Sequence, residues 1–263
     1  MPLVSRHYVA TCDERWTVSA STVTSRRLLH IFDLMALGES DGTHGLLCSV
    51  AAEVTGLSGA MIVLASSFPA MTGYCASGSA GPALMDLEMT IGEGPCVEAY
   101  RSEIAVEEGD LRASLNVNWQ SYAASAVALG ARAVFGFPVR MGTVRLGALG
   151  LYRDRTGPLS EEQVTDAFLL ASVIGRAVLT LQAGAAPGSL SSELLDEAMF
   201  DFSLHQAAGM IAAQGEMSVK DAIVALRMHA FAESQSLSDV TASVIARHLH
   251  YQLKGRIWLK DSQ

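Results

Sequence analysis

Lysine is almost missing from this chain. It occurs three times in 263 residues, first at Lys220. Charged residues of all kinds make up 17%, and the net charge is -9. That balance excludes a protein that coats nucleic acid over its whole surface. Cysteine occurs four times, at Cys12, Cys48, Cys75 and Cys96. No two of them form a CxxC, so neither a zinc knuckle nor a redox pair is expected, and all four read as buried reduced thiols. No uninterrupted apolar run reaches the roughly 18 residues that cross a bilayer. The opening "MPLVSRHYVATCDERW" lacks the apolar stretch of a signal peptide. These absences predict a cytoplasmic protein without a membrane partner. Catalytic signatures are missing too: there is no GxSxG, no Walker loop and no HExxH. The chain therefore reads as a non-enzyme, with no cofactor and no metal site.

What is present is apolar: half of the residues, enough for one sizeable core and a smaller second one. The clearest linker is "AGAAPGSLSS", residues 183–192, rich in small residues, glycine and proline. Upstream, "STVTSRRLLHIFDLMALGE" and "THGLLCSVAAEVTG" have helical periodicity, the second ended by Gly56. "AMIVLAS" and "MTGYCAS" read as strands separated by "SFPA". "GPALMDLEMTIGEGPCVEAYRSE" is helical at both ends and broken by "GEGP". "IAV" reads as a short strand, and "NVNWQSYAASAVALG" as a helix running to Gly130. "ARAVFGFPVRM" and "VRLGALGLYRD" form a hairpin turning near "GT". A long helix follows, with Ser160 and Gln163 in capping-box spacing. This order predicts an α+β fold, a mostly antiparallel sheet covered by helices.

The order of elements, with "IGEGPCVEAYRSE" and "FGFPVRMGTVRLGALGLYRD", resembles a GAF domain, a sensory relative of the PAS fold. The resemblance covers residues 21–182, after an N-terminal extension of residues 1–20. It implies about six strands and a pocket for a small-molecule ligand, whose identity it leaves open. Candidate chemistry in this part is sparse. Cys96 follows Pro95 at a helix start, where thiol pKa values fall, but reads better as a packing residue. Gly92 and Gly94 read as a plain loop rather than a phosphate cradle. His30 and His44 read as ordinary helix residues rather than haem ligands. Arg153, Asp154 and Arg155 read as a solvated turn.

Beyond the linker, "LSSELLDEAMFDFSLHQAAGMIAAQ" is long enough for roughly six or seven helical turns. Leu195, Met199, Phe202, Gln206 and Gly209 alternate at four and three, a seam that predicts a homodimer. Two more helices open at Ser218 and Ser236, each with an Asp three residues on (Asp221, Asp239). Val219, Ala222, Ile223, Leu226 and Ala230 form one stripe; Leu237, Val240 and Val244, with His248, form the other. The small residues Ala207, Ala208, Gly209, Ala212 and Ala213 permit close helix packing, and both neighbouring helices are expected to lean on Gly209. "HQAAGMIAAQ" with "SVKDAIVALRMHAFAESQSLSDVTASVIARHL" resembles an ANTAR domain, the RNA-binding antitermination module of bacterial regulators. The resemblance implies an all-α three-helix bundle over residues 190–254, after a linker of residues 183–189 and before a tail of residues 255–263. It also implies a hairpin in a nascent transcript as partner. Gln206, Ala208, Gly209, Lys220, Arg227, His229 and Arg247 are its candidate RNA-binding residues, with Arg227 and Arg247 foremost and Arg227 expected to face outward. Two departures stand out: many family members carry lysine where this chain has Ala208, and alanine where it has Thr241. The alternative is a ligand sensor whose bundle serves only dimerisation or protein docking.

Overall fold

The computed structural model describes Arg27, Ile31 and residues 43–67, 70–114, 119–182, 192–252 and 257–260, with the side chains of residues 43–44, 66–67, 70, 120, 181–182, 192–202, 257 and 260 outside that description. Helix α1 (Thr43–Thr55) leads into strands β1 (Gly59–Ser67) and β2 (Ala70–Ala76). Helices α2 (Gly81–Ile91) and α3 (Pro95–Ser102) follow, then β3 (Val106–Glu108), α4 (Gln120–Ala128), β4 (Ala133–Met141), β5 (Val144–Arg153) and the long α5 (Glu161–Gln182). The five strands form one antiparallel sheet in the order β2-β1-β5-β4-β3. The resemblance implied about six strands in this sheet; it has five among the described residues. The short strand is displaced from the expected "IAV" to Val106–Glu108.

Both faces of the sheet are buried. Strand side chains alternate between faces, so Ile62, Leu64, Phe135, Phe137, Leu149 and Leu151 enter one core with α1 and α5. Met61, Val63, Val134, Ala148 and Tyr152 enter the other, beneath α2, α3 and α4. This is why the strands read as near-continuous apolar runs. Two glycines paired across β4 and β5, Gly136 and Gly150, flatten the second face. A β-carbon on Gly136 would lie 2.6 Å from the Pro95 carbonyl carbon, and one on Gly150 would lie 2.7 Å from Cγ of Met61. Helix α3 can therefore lie directly on the sheet.

The predicted caps are seen. Ser160 N–H donates to Gln163 Oε1 (3.0 Å) and Gln163 N–H donates to Ser160 Oγ (3.2 Å), a reciprocal box at the start of α5. Helix α5 has the length and hydropathy to cross a membrane. Here Ala167, Leu170, Ala171, Ile174 and Val178 bury it in the sheet core, and Arg27 pairs with Glu162 and Asp166 on it.

The expectation of four reduced thiols is overturned. Cys48 and Cys75 form a disulfide that joins α1 to β2, with Cα atoms 6.1 Å apart. A spacing of 27 residues gives no motif, and only the fold brings α1 over the edge of the sheet. Cys96 is a buried free thiol, as expected; Cys12 lies outside the described residues. Arg153 is not solvated either. It is buried, donates to the carbonyl oxygens of Gly157 (3.2 Å) and Pro158 (3.1 Å), and stands over the Phe135 ring.

Helices α6 (Ser192–Gly215), α7 (Val219–Ala232) and α8 (Leu237–Ile245) share a third core of Leu204, Ala207, Ala208, Ile211, Ala222, Leu226, Ala230, Leu237, Val240 and Val244. Ser218 Oγ accepts from Asp221 N–H and Ser236 Oγ from Asp239 N–H, so both N-caps form where the spacing put them. Helix α8 ends at Ile245, before His248, which is exposed. The module is not all-α: strands β6 (Leu249–Gln252) and β7 (Ile257–Lys260) pair as a hairpin. It lies over residues expected to end the bundle and form a tail. The seam residues Leu195, Met199 and Phe202, like His30 and His44, lie outside the described side chains.

Candidate functional site

Four of the seven candidate RNA-contacting residues are exposed: Gln206, Gly209, Lys220 and Arg247. Arg247 follows α8 in a left-handed conformation (φ 63°). Of the other three, Ala208 and His229 are buried and Arg227 is half-buried. Ala208 is fully buried in the three-helix core, so it cannot touch RNA. Leu204, Ala207, Ala208 and Ile211 recur at three and four and point inward together. Gly209 sits one residue further round, where nothing lies within 4 Å of a β-carbon built on it. The expectation that two helices lean on Gly209 is therefore wrong; they lean on Ala207 and Ala208.

His229 is 8% exposed and stacks on Trp258, with ring centroids 4.4 Å apart. Tyr251 meets the same indole edge-on at 5.3 Å. The β6–β7 hairpin brings both aromatics over α7, and no local periodicity announced it.

Arg227 points away from the bundle's own core, as its place after Leu226 predicts, but not into solvent. Its guanidinium lies over Gly92, where a β-carbon would be 2.6 Å from Nη1 and 3.2 Å from Cζ. Gly92 caps α2 with φ 74°, so its lack of a side chain serves the helix stop and the close approach at once. Nε of Arg227 is buried without a hydrogen-bond partner among the described residues. Burial, and then the like charge of Arg101, push the Arg227 pKa down. Beside it, the N–H of Leu237 donates to Thr90 Oγ1 (3.2 Å), a buried bond from the first turn of α8 to the last turn of α2. Asp86, on the same helix, has its carboxyl pushed up by burial and by Asp239.

Beneath this turn lies a buried polar cluster that sequence reasoning missed. Glu88 is fully buried, and its Oε1 accepts from Val97 N–H at 2.8 Å, at the start of α3. The carboxylate thus occupies the anion-favouring end of α3. Gly94 (φ 142°) makes room for it, since a β-carbon there would lie 2.7 Å from Cδ of Glu88. Burial pushes the Glu88 pKa up to about 7, against the hydrogen bonds from Val97 and Cys96 that favour the charged form. The same burial, with Glu88 close by, raises the Cys96 thiol and the Tyr122 phenol. A thiol held protonated is a poor nucleophile, which sets the reactive reading of Cys96 aside. The only signal in the sequence was an acid on the apolar face of "LMDLEMTI". No group of three or more His, Cys, Asp or Glu that could hold a metal occurs among the described residues.

No family model matches the chain. No curated protein matches it either. Solved structures similar to it include the GAF domain of a phosphoenolpyruvate-protein phosphotransferase from Acinetobacter, at 13% identity and a TM-score of 0.47, covering 61% of this chain and 96% of that one. The corresponding domain from Coxiella burnetii has the same identity and TM-score and covers 62% and 96%. A GAF domain/HD domain protein from Geobacter sulfurreducens, at 13% identity and a TM-score of 0.43, covers 53% and 92%. Similarity at this level assigns neither ligand nor activity.

Proposed function

We propose that the chain is a signal-responsive RNA-binding regulator that acts by binding rather than by catalysis. In this reading residues 21–182 form a GAF-like sensory part that takes a small molecule or partner. Residues 190–254 form an ANTAR-like part that, as a homodimer in the cytoplasm, holds a hairpin of a nascent transcript and prevents a terminator from forming. The observation that carries the reading is where the ANTAR-like stretch falls. Its small residues pack three helices around one core, while Gln206, Lys220 and Arg247 stay exposed on the outside. RNA hairpins are held by a few well-placed phosphate and base contacts, which an acidic protein can supply.

Filter binding of hairpin RNA across a salt series tests this. The logarithm of affinity should fall linearly with the logarithm of salt, and Arg247→Ala should make the slope shallower by about 1. A chain that binds no hairpin at low salt overturns the reading. The alternative, a sensor whose helices serve only dimerisation or docking, is favoured by one observation: the Arg227 guanidinium lies against the first part of the chain.

A further inference from the structure

Where α1 ends, β5 ends and the chain turns toward α5, the surface opens into a cavity of about 410 Å³ lined by Gly56, Leu57, Ser58, Arg153, Asp154 and Arg155. That volume lies in the range of small-ligand sites. Arg153 is only 8% exposed at its wall. Its Nη2 donates to the Gly157 and Pro158 carbonyls, but Nε is buried without a hydrogen-bond partner, and no carboxylate pairs with the guanidinium among the described residues. Buried charges are ordinarily paired, because an unpaired one loses its hydration with nothing to replace it. Arg155 is exposed on the same cavity and has no ion pair among the described residues either. Burial, and then the like charge of Arg155, push the Arg153 pKa down.

The negative groups nearby are engaged elsewhere. Asp154 Oδ1 accepts from Ser58 Oγ (3.1 Å), and the Asp154 N–H donates back to that oxygen (3.1 Å). Glu107 Oε1 accepts from Leu159 N–H (3.0 Å). The last carbonyls of α1 would repel an anion. Here Ala52 and Glu53 accept from the N–H groups of Leu57 and Gly56 (3.1 Å each), and Thr55 accepts from Gln163 Nε2 (2.8 Å). Two arginines and one aspartate leave the cavity with a net positive charge. We propose that this cavity is an oxyanion site, which holds the carboxylate or phosphate group of a small molecule between Arg153 and Arg155. A guanidinium presents paired N–H donors that match either group. A bound anion pairs the buried arginine and offsets the repulsion between the two. Arg153 stands over Phe135, on the face of the sheet that α1 and α5 cover, so the site is separate from Glu88 beneath the other face. The site stands whether or not the chain binds RNA.

Titration of the full chain at constant ionic strength is the test, once with inorganic phosphate and once with succinate. The buried Nε–H of Arg153 reports occupancy by its NMR resonance. At least one anion should shift that resonance saturably, with half-saturation at roughly 1 mM or below, and should raise the melting temperature. The anion that binds more tightly assigns the group as phosphate or carboxylate. Arg155→Gln is an exposed substitution and should leave the melting temperature without anion nearly unchanged. It removes one charge-assisted hydrogen bond from the site and should weaken binding about tenfold. Arg155→Lys should recover part of the loss, since it restores the charge without the paired donors. Arg176→Gln, exposed on α5 outside the cavity, should leave binding unchanged. Three outcomes overturn the site: shifts that grow without saturating, shifts that chloride reproduces at the same ionic strength, and a half-saturation that Arg155→Gln does not move.

Discussion

Single residues carry the sharpest consequences. Glu88 is an acid whose folded-state pKa, about 7, lies above its ordinary value of 4.5. Between those two pH values the folded chain holds a proton that the unfolded chain has released, so stability falls as pH rises through that window and levels off above it. The loss is roughly 3 kcal/mol. Glu88→Gln keeps an oxygen for Val97 N–H and should flatten the profile, read from denaturation midpoints at pH 4.5 and 7.5. A wild-type midpoint that does not decline over this range would show that Glu88 is not held in apolar surroundings. Gly209 and Ala208 are neighbours with opposite fates. Gly209→Ala fills open space on a helix and should stabilise the chain by about 1 kcal/mol. Ala208→Leu overfills the three-helix core and should cost about 1 to 3 kcal/mol. Equal effects of the two substitutions in urea unfolding would contradict the orientation of α6.

At the scale of elements, local chemistry was legible and partnership was not. Ser160 with Gln163, Ser218 with Asp221 and Ser236 with Asp239 announced three helix starts, and all three form. Ser218→Ala should cost about 1 kcal/mol, since the cap satisfies an amide that the helix cannot. The cost should be visible as a lowered midpoint in chemical denaturation; an unchanged midpoint would mean that water replaces the cap fully. The two-residue turn between β4 and β5, with Gly142 at φ 58°, was equally plain. The β6–β7 hairpin was not. Four-residue strands carry too little alternation to read, and Trp258 and Tyr251 gain their meaning only when paired over His229.

At the scale of the whole molecule, the Cys48–Cys75 disulfide ties α1 to the sheet edge across 27 residues. Closing a loop of that length restricts the unfolded chain and is worth roughly 3 kcal/mol. Adding dithiothreitol, or substituting both cysteines by alanine, should lower the melting temperature by several degrees; an unmoved melting temperature would show that the bond is not formed in solution. The sequence by itself determined most of the elements, β6 and β7 excepted: the helix and strand periods, the caps and the turns. Each depends on neighbours within a few positions, and the chain states those directly. Only the tertiary structure decided which residues meet. Cys48 reaches Cys75, Glu88 reaches the start of α3 through the room left by Gly94, and Arg227 reaches Gly92, 135 residues away in the chain. An arginine after an apolar stripe must leave its own bundle. Whether it then meets water, phosphate or another part of the same chain depends on surfaces remote in the chain, and helical period carries no information about those.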